Sequence, residues 1–149
     1  MDRIRAIIVD IDDTLTDATH RRHHLNKTPP DFPKFFEEAI DDPCREHIKQ
    51  LCANYTGEVL LLTGRHEALR EQTLQWLKKH DIKYNKLFMK PNKMQFYKDV
   101  DFKKPFYLGY IKKHYDIEYA VDDRDVILNM WKRVGVTAYH EYRFRNLQY

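Results

Sequence analysis

The chain has 149 residues, of which 42% are hydrophobic and 33% charged, with a formal net charge of +3. That length fits one domain able to bury about 70% of its unfolded surface, a core that needs no staple. A disordered or collagen-like chain is excluded, and two cysteines, Cys44 and Cys52, read as free thiols of a reducing cytosol.

Ile4 to Val9 is rich in β-branched residues and runs directly into Asp10-Ile11-Asp12-Asp13-Thr14, a strand followed by a loop. Asp10 interrupts the opening stretch too early for a signal peptide. The longest aliphatic runs are four residues, so no membrane span fits. Residues 11–32 read as irregular. Pro33 at a first helical position opens a helix through about residue 40, and Pro43 opens another through about residue 55. Val59 to Leu62 is a second buried strand, stopped by Thr63-Gly64. Leu69, Thr73, Trp76 and Leu77 share one face of a helix over about 66–80. Leu87 to Met89 is a short strand, followed by a helical stretch over about 101–115 and a strand over 118–121. Ile127, Met130, Trp131 and Val134 line a helix ended by Gly135, and Val136 to Tyr139 is the last strand. The tail after His140 carries no clear pattern. Strands alternating with helices predict an α/β fold built on a parallel sheet, in a single domain over 1–149.

In such a sheet, ligands bind at the carboxyl ends of the strands. Asp10, Thr63 and the pair Asp122-Asp123 each fall where a predicted strand ends, so they should converge. Each motif also has an ordinary explanation. The DIDDT segment resembles any acidic turn, Thr63 a helix-capping threonine, and Asp122-Asp123-Arg124 a solvated first helical turn. Alternation nonetheless puts Asp10 and Asp12 on one side of the backbone, where one carboxylate can attack while the other handles a proton. Clustered carboxylates repel unless a cation joins them, which points to a hard ion such as Mg²⁺.

Charge is unevenly spread: residues 1–60 are net −4, 61–115 net +8 and 116–149 net −1. Seven lysines lie between Lys78 and Lys98, interleaved with Tyr84, Phe88, Phe96 and Tyr97. Such a stripe can track a phosphate backbone while rings stack on bases; it is equally what a solvated helix end over a core looks like. The segment His20-Arg21-Arg22-His23-His24 is a candidate second phosphate contact.

The ordered set of DIDDT, TGR, an upstream lysine and VDDRD resembles the haloacid dehalogenase-like (HAD) phosphatase superfamily. Within it, the stretch from Asp99 through AVDDRDVILNMWKRVGV is similar to the C-terminal 3′-phosphatase domain of phage polynucleotide kinase. That resemblance implies a HAD-like Rossmannoid sheet flanked by helices, with at most a small cap in the insert between the first two motifs. It implies Asp10 as the nucleophile, Asp12 as general acid and base, and Thr63 as a phosphate-binding hydroxyl. Lys103 stands at the lysine position, with Lys104, Lys112 and Lys113 as rivals. Asp122 and Asp123, joined by Asp10 and Asp12, match the Mg²⁺ site, while Arg21, Arg65 and Asp99 match substrate-binding residues. Asp13 stands where a glycine is commoner, and Thr63 replaces a serine.

No G-x-x-x-x-G-K-[ST] phosphate loop occurs, so no kinase domain is expected. The expected activity is Mg²⁺-dependent removal of 3′-phosphates from nucleic acid ends, DNA or RNA, in the cytoplasm and away from membranes. The rivals are a phosphatase of nucleotides or other small metabolites, and an end-binding or phospho-acceptor module without turnover.

Overall fold

The computed structural model describes residues 2–146. Five parallel strands form one sheet in the order β3-β2-β1-β4-β5. They are β1 (Ile4–Val9), β2 (Glu58–His66), β3 (Lys86–Lys90), β4 (Tyr115–Asp122) and β5 (Ala138–His140). Because both faces of a parallel sheet are covered, its strands are apolar on both sides. In β1, Ile7 and Val9 enter one core with Trp76, Leu77 and Ile48, while Ala6 and Ile8 enter the other with Ile127, Trp131 and Phe102. The α/β architecture expected from the sequence is the one observed.

Among the described residues there are six α-helices: α1 (Phe32–Glu37), α2 (Glu46–Asn54), α3 (Arg70–Lys79), α4 (Asp99–Phe106), α5 (Lys112–His114) and α6 (Asp125–Arg133). The insert between β1 and β2 contains α1, α2 and 3-10 turns but no strand, which makes it a small cap.

Several predicted boundaries shift for local reasons. Pro43 does not open a helix. Its carbonyl accepts from the Asp17 amide, and Cys44 bridges Thr16, so the chain stays extended until Glu46. Nor does β2 stop at Thr63-Gly64: it continues to His66, with a register shift against β3 between Thr63 and His66. Such an irregularity re-aims side chains at a strand end. The long helix expected over 101–115 begins at Asp99, contains Pro105, widens over Tyr107–Ile111 and ends as α5. At the end of α6, Gly135 takes φ 86, a left-handed value suited to a helix stop. The tail that showed no pattern forms a 3-10 turn, Glu141–Phe144, and both of those residues are buried.

Among the described residues, no helix is long and apolar enough to cross a membrane.

Candidate active site

The carboxyl ends of β1, β2 and β4 bring the separated motifs together. Asp10 follows β1, with its amide tied to the Val121 carbonyl on β4 at 3.1 Å. Its carboxylate is 5% exposed. Lys103, on α4, donates from one Nζ to Asp10 Oδ1 and to Asp122 Oδ2, both at 3.0 Å. The rival lysines Lys104, Lys112 and Lys113 are exposed. Asp122 Oδ1 accepts the amides of Asp123 and Arg124 at 2.8 and 3.1 Å, and Thr14 donates its hydroxyl to Asp123 at 3.2 Å.

One oxygen from each of Asp10, Asp122 and Asp123 lies within 4.8 Å of the others. Burial, then Asp122, pushes the Asp10 carboxyl well above its usual range against the pull of Lys103. Burial with Asp122 and Asp13 pushes Asp123 up to about 6. Burial lowers the Lys103 pKa, but Asp10 and Asp122 outweigh it and hold the value above that of an ordinary lysine. Three crowded carboxylates with a single ammonium are short of positive charge. An all-oxygen donor set of this kind fits a hard divalent cation such as Mg²⁺.

Asp12 departs from the expected metal cluster. Its carboxylate turns away from the trio and meets Arg65, through Nε at 3.1 Å and Nη2 at 2.7 Å, and Arg21 through Nη2 at 2.6 Å. Burial would raise its pKa, yet the two guanidiniums hold it well below the usual carboxylate range. The two arginines neutralise Asp12 from the side away from Asp10.

Arg65 also donates to Thr73 at 3.1 Å, and Arg21 lies 4.3 Å over the Phe35 ring. Thr63 is fully buried. Its hydroxyl accepts the Arg65 amide at 3.0 Å, and the cleft wall there is Gly64 and Arg65. Asp99 faces the same cleft, held by Lys90 at 3.0 Å and Arg124 at 2.5 Å. It presses so closely on Gly64 that a β-carbon there would collide with its carboxylate. Asp13 takes φ 60, which explains why a glycine suits this position and why an aspartate is tolerated.

Asp10, Asp12, Arg65, Asp99, Asp123 and Arg124 line an open cleft of about 260 Å³. Residues 4–140 match the family described as polynucleotide kinase PNKP phosphatase domain. The chain belongs to that family. It is a phosphoric monoester hydrolase of the HAD superfamily. Similar chains occur in the solved Pnkp1/Rnl/Hen1 complex and in the Pnkp1/Rnl/Hen1 RNA repair complex, each 26% identical, with TM-scores of 0.75 and 0.76. The matches cover 94% of this chain but 46% and 44% of those chains, so it spans less than half their length. A hydrolase from Streptococcus pneumoniae TIGR4 shares the fold at 16% identity and TM-score 0.55, over 93% of this chain and 92% of its own.

The lysine stripe read from the sequence of this PNKP-type domain is interrupted at Lys90, while its other six lysines are exposed. Lys90 is 2% exposed and is consumed by Asp99 and the Tyr97 carbonyl. Lys86 begins β3, about 13 Å from Lys90 at the strand's far end. The histidine-rich segment is likewise tied down: His20 to Asp42, His24 to Glu38 and Arg22 to Asp13. Sequence reasoning missed Asp42, Phe36 and a role for Arg124. Arg124 alone had a signal, its place in VDDRD.

Proposed function

We propose that this domain hydrolyses terminal 3′-phosphates of nucleic acid through an aspartyl-phosphate on Asp10. The observation that carries the reading is the Asp10 carboxylate, nearly buried, oriented by Lys103 and opening on a cleft that the small cap leaves accessible to a polymer end. The presence of similar chains in an RNA repair complex supports a nucleic acid rather than a small metabolite as substrate.

Asp10 attacks phosphorus as the bond to the 3′-oxygen breaks; Arg65 turns from Asp12 to the incoming phosphoryl group, and Asp12, released to take up a proton from solvent, delivers it to that oxygen. Asp12 then takes a proton from the water that cleaves the acyl phosphate, releasing inorganic phosphate and restoring Asp10. Arg65 and Arg124, the latter held by Asp99, receive and orient the phosphoryl group, and Arg21 positions Asp12. Thr63 holds the Gly64-Arg65 backbone in place. Asp10, Asp122 and Asp123 would hold Mg²⁺, which would supply charge neutralisation for the transfer. The free thiols of Cys44 and Cys52 support a reducing compartment such as the cytoplasm.

Asp10→Asn should release no phosphate from a 3′-phosphorylated oligonucleotide while keeping its circular dichroism. Turnover by this variant overturns the mechanism. A kcat/KM for a 3′-mononucleotide equal to or above that for the oligonucleotide overturns the polymer substrate.

A further inference from the structure

Phosphate chemistry uses one side of the cleft and leaves an aromatic wall on another. Three of the six residues of α1 are phenylalanines: Phe32 is exposed, while Phe35 and Phe36 are half-buried at the catalytic cleft and outside the core. Apolar rings left open to a cleft and to solvent mark places where something binds. Phe35 is engaged by Arg21. Phe36 lines the catalytic cleft and stacks on Phe32 with ring centroids 6.1 Å apart and planes 26° from parallel. Phe36 and His66, at the end of β2, meet edge to face with centroids 5.3 Å apart, which holds the Phe36 ring in place. Phe32, the outer ring, is 46% exposed. The pair runs from the phosphate cleft outward to solvent.

We propose that Phe32 and Phe36 are the stacking platform for the base of the nucleotide whose phosphate is removed. This rests on the nucleic-acid reading above. A phenyl face accepts any base, because every base offers a π surface and no donor or acceptor is read. The domain is thereby indifferent to terminal sequence but not to the presence of a base. Phe96 and Tyr97 are also exposed, at 87% and 55%, but they stand outside the catalytic cleft.

The test compares two 3′-phosphorylated oligonucleotides that differ only in whether the terminal residue carries a base or is abasic. The wild type should favour the base-bearing substrate by about tenfold in kcat/KM, a typical single-stack contribution. Phe32→Ala/Phe36→Leu should bring that ratio close to one, and Phe32→Ala alone, at an exposed site, should lower it in part. Phe96→Ala/Tyr97→Ala should retain it. No preference in the wild type, a preference that survives in both α1 variants, or one abolished by the Phe96/Tyr97 variant overturns the platform. Cleavage of both substrates at equal rates defeats the platform alone, whereas cleavage of neither, with Mg²⁺ present, defeats the proposed function as well.

Discussion

Asp42 grips Arg21 with both carboxylate oxygens, receiving Nε and Nη2 at 2.8 Å each, and Arg21 passes the same Nη2 on to Asp12 at 2.6 Å. Asp42 is 1% exposed and Arg21 equally buried, so the geometry of Asp12 depends on an ion pair behind it. The Asp42 carbonyl also accepts the Trp76 indole N–H at 2.9 Å, which anchors the cap to the core.

Asp42→Asn should therefore damage both stability and turnover. Removing one partner of a buried pair leaves the other charge poorly compensated, at a cost of about 3 kcal/mol. Denaturant unfolding should show a loss of that size, and kcat should fall while Asp10 stays intact. Unchanged stability would mean that Asp12 alone satisfies Arg21.

How much of this was legible in the sequence depends on the range of the signal. Asp10, Asp122 and Asp123 were readable because strand ends fix where their side chains go, and the sheet order brings β1 beside β4, whereas Lys103, on α4, was singled out by the family resemblance alone. Asp42 was not, because its partner lies twenty-one residues away across an irregular cap, where no periodicity reports contact. Asp12 was half legible. Alternation placed it beside Asp10, but its arginine partners come from the cap and from the β2 irregularity. The lysine stripe was half legible for a related reason: its lysines span the end of α3, a turn, a strand and a loop, so nearness in sequence puts some of them at opposite ends of β3.

Metal dependence follows from the shortage of positive charge around Asp10, Asp122 and Asp123. Excess chelator should abolish turnover. In thermal denaturation, Mg²⁺ at a hundredfold excess over its Kd should contribute about 2.7 kcal/mol. That corresponds to a Tm rise of about 5–10 °C for a chain of this size. Asp123→Asn should blunt the rise and leave the metal-free protein no less stable, because one of three repelling carboxylates is gone. An equal rise with a monovalent salt at matched ionic strength would refute the site.

Glu141 gives stability a pH dependence outside the metal cluster. It sits in the tail turn, 1% exposed, and accepts from Arg45 at 2.6 Å, His47 at 2.5 Å and Arg145 at 2.6 Å. Arg45 and His47 stand at the start of α2, and Arg45 also lies 3.7 Å from Asp13, so Glu141 fastens the tail to the cap and to the catalytic loop. Burial opposes its ionisation, but Arg145, His47 and Arg45 outweigh that and depress its pKa. A carboxyl whose pKa is lower folded than unfolded stabilises the protein above the unfolded value, about 4.3, and loses that contribution as pH falls through the folded value. Glu141→Gln should therefore cost about 1–3 kcal/mol at pH 7. The gap from wild type should narrow steadily below about pH 4 as the native carboxylate takes up its proton. Urea unfolding of both proteins from pH 7 to pH 3 measures it. A gap that stays constant, or widens in acid, would show that Glu141 contributes through its shape and packing rather than its charge.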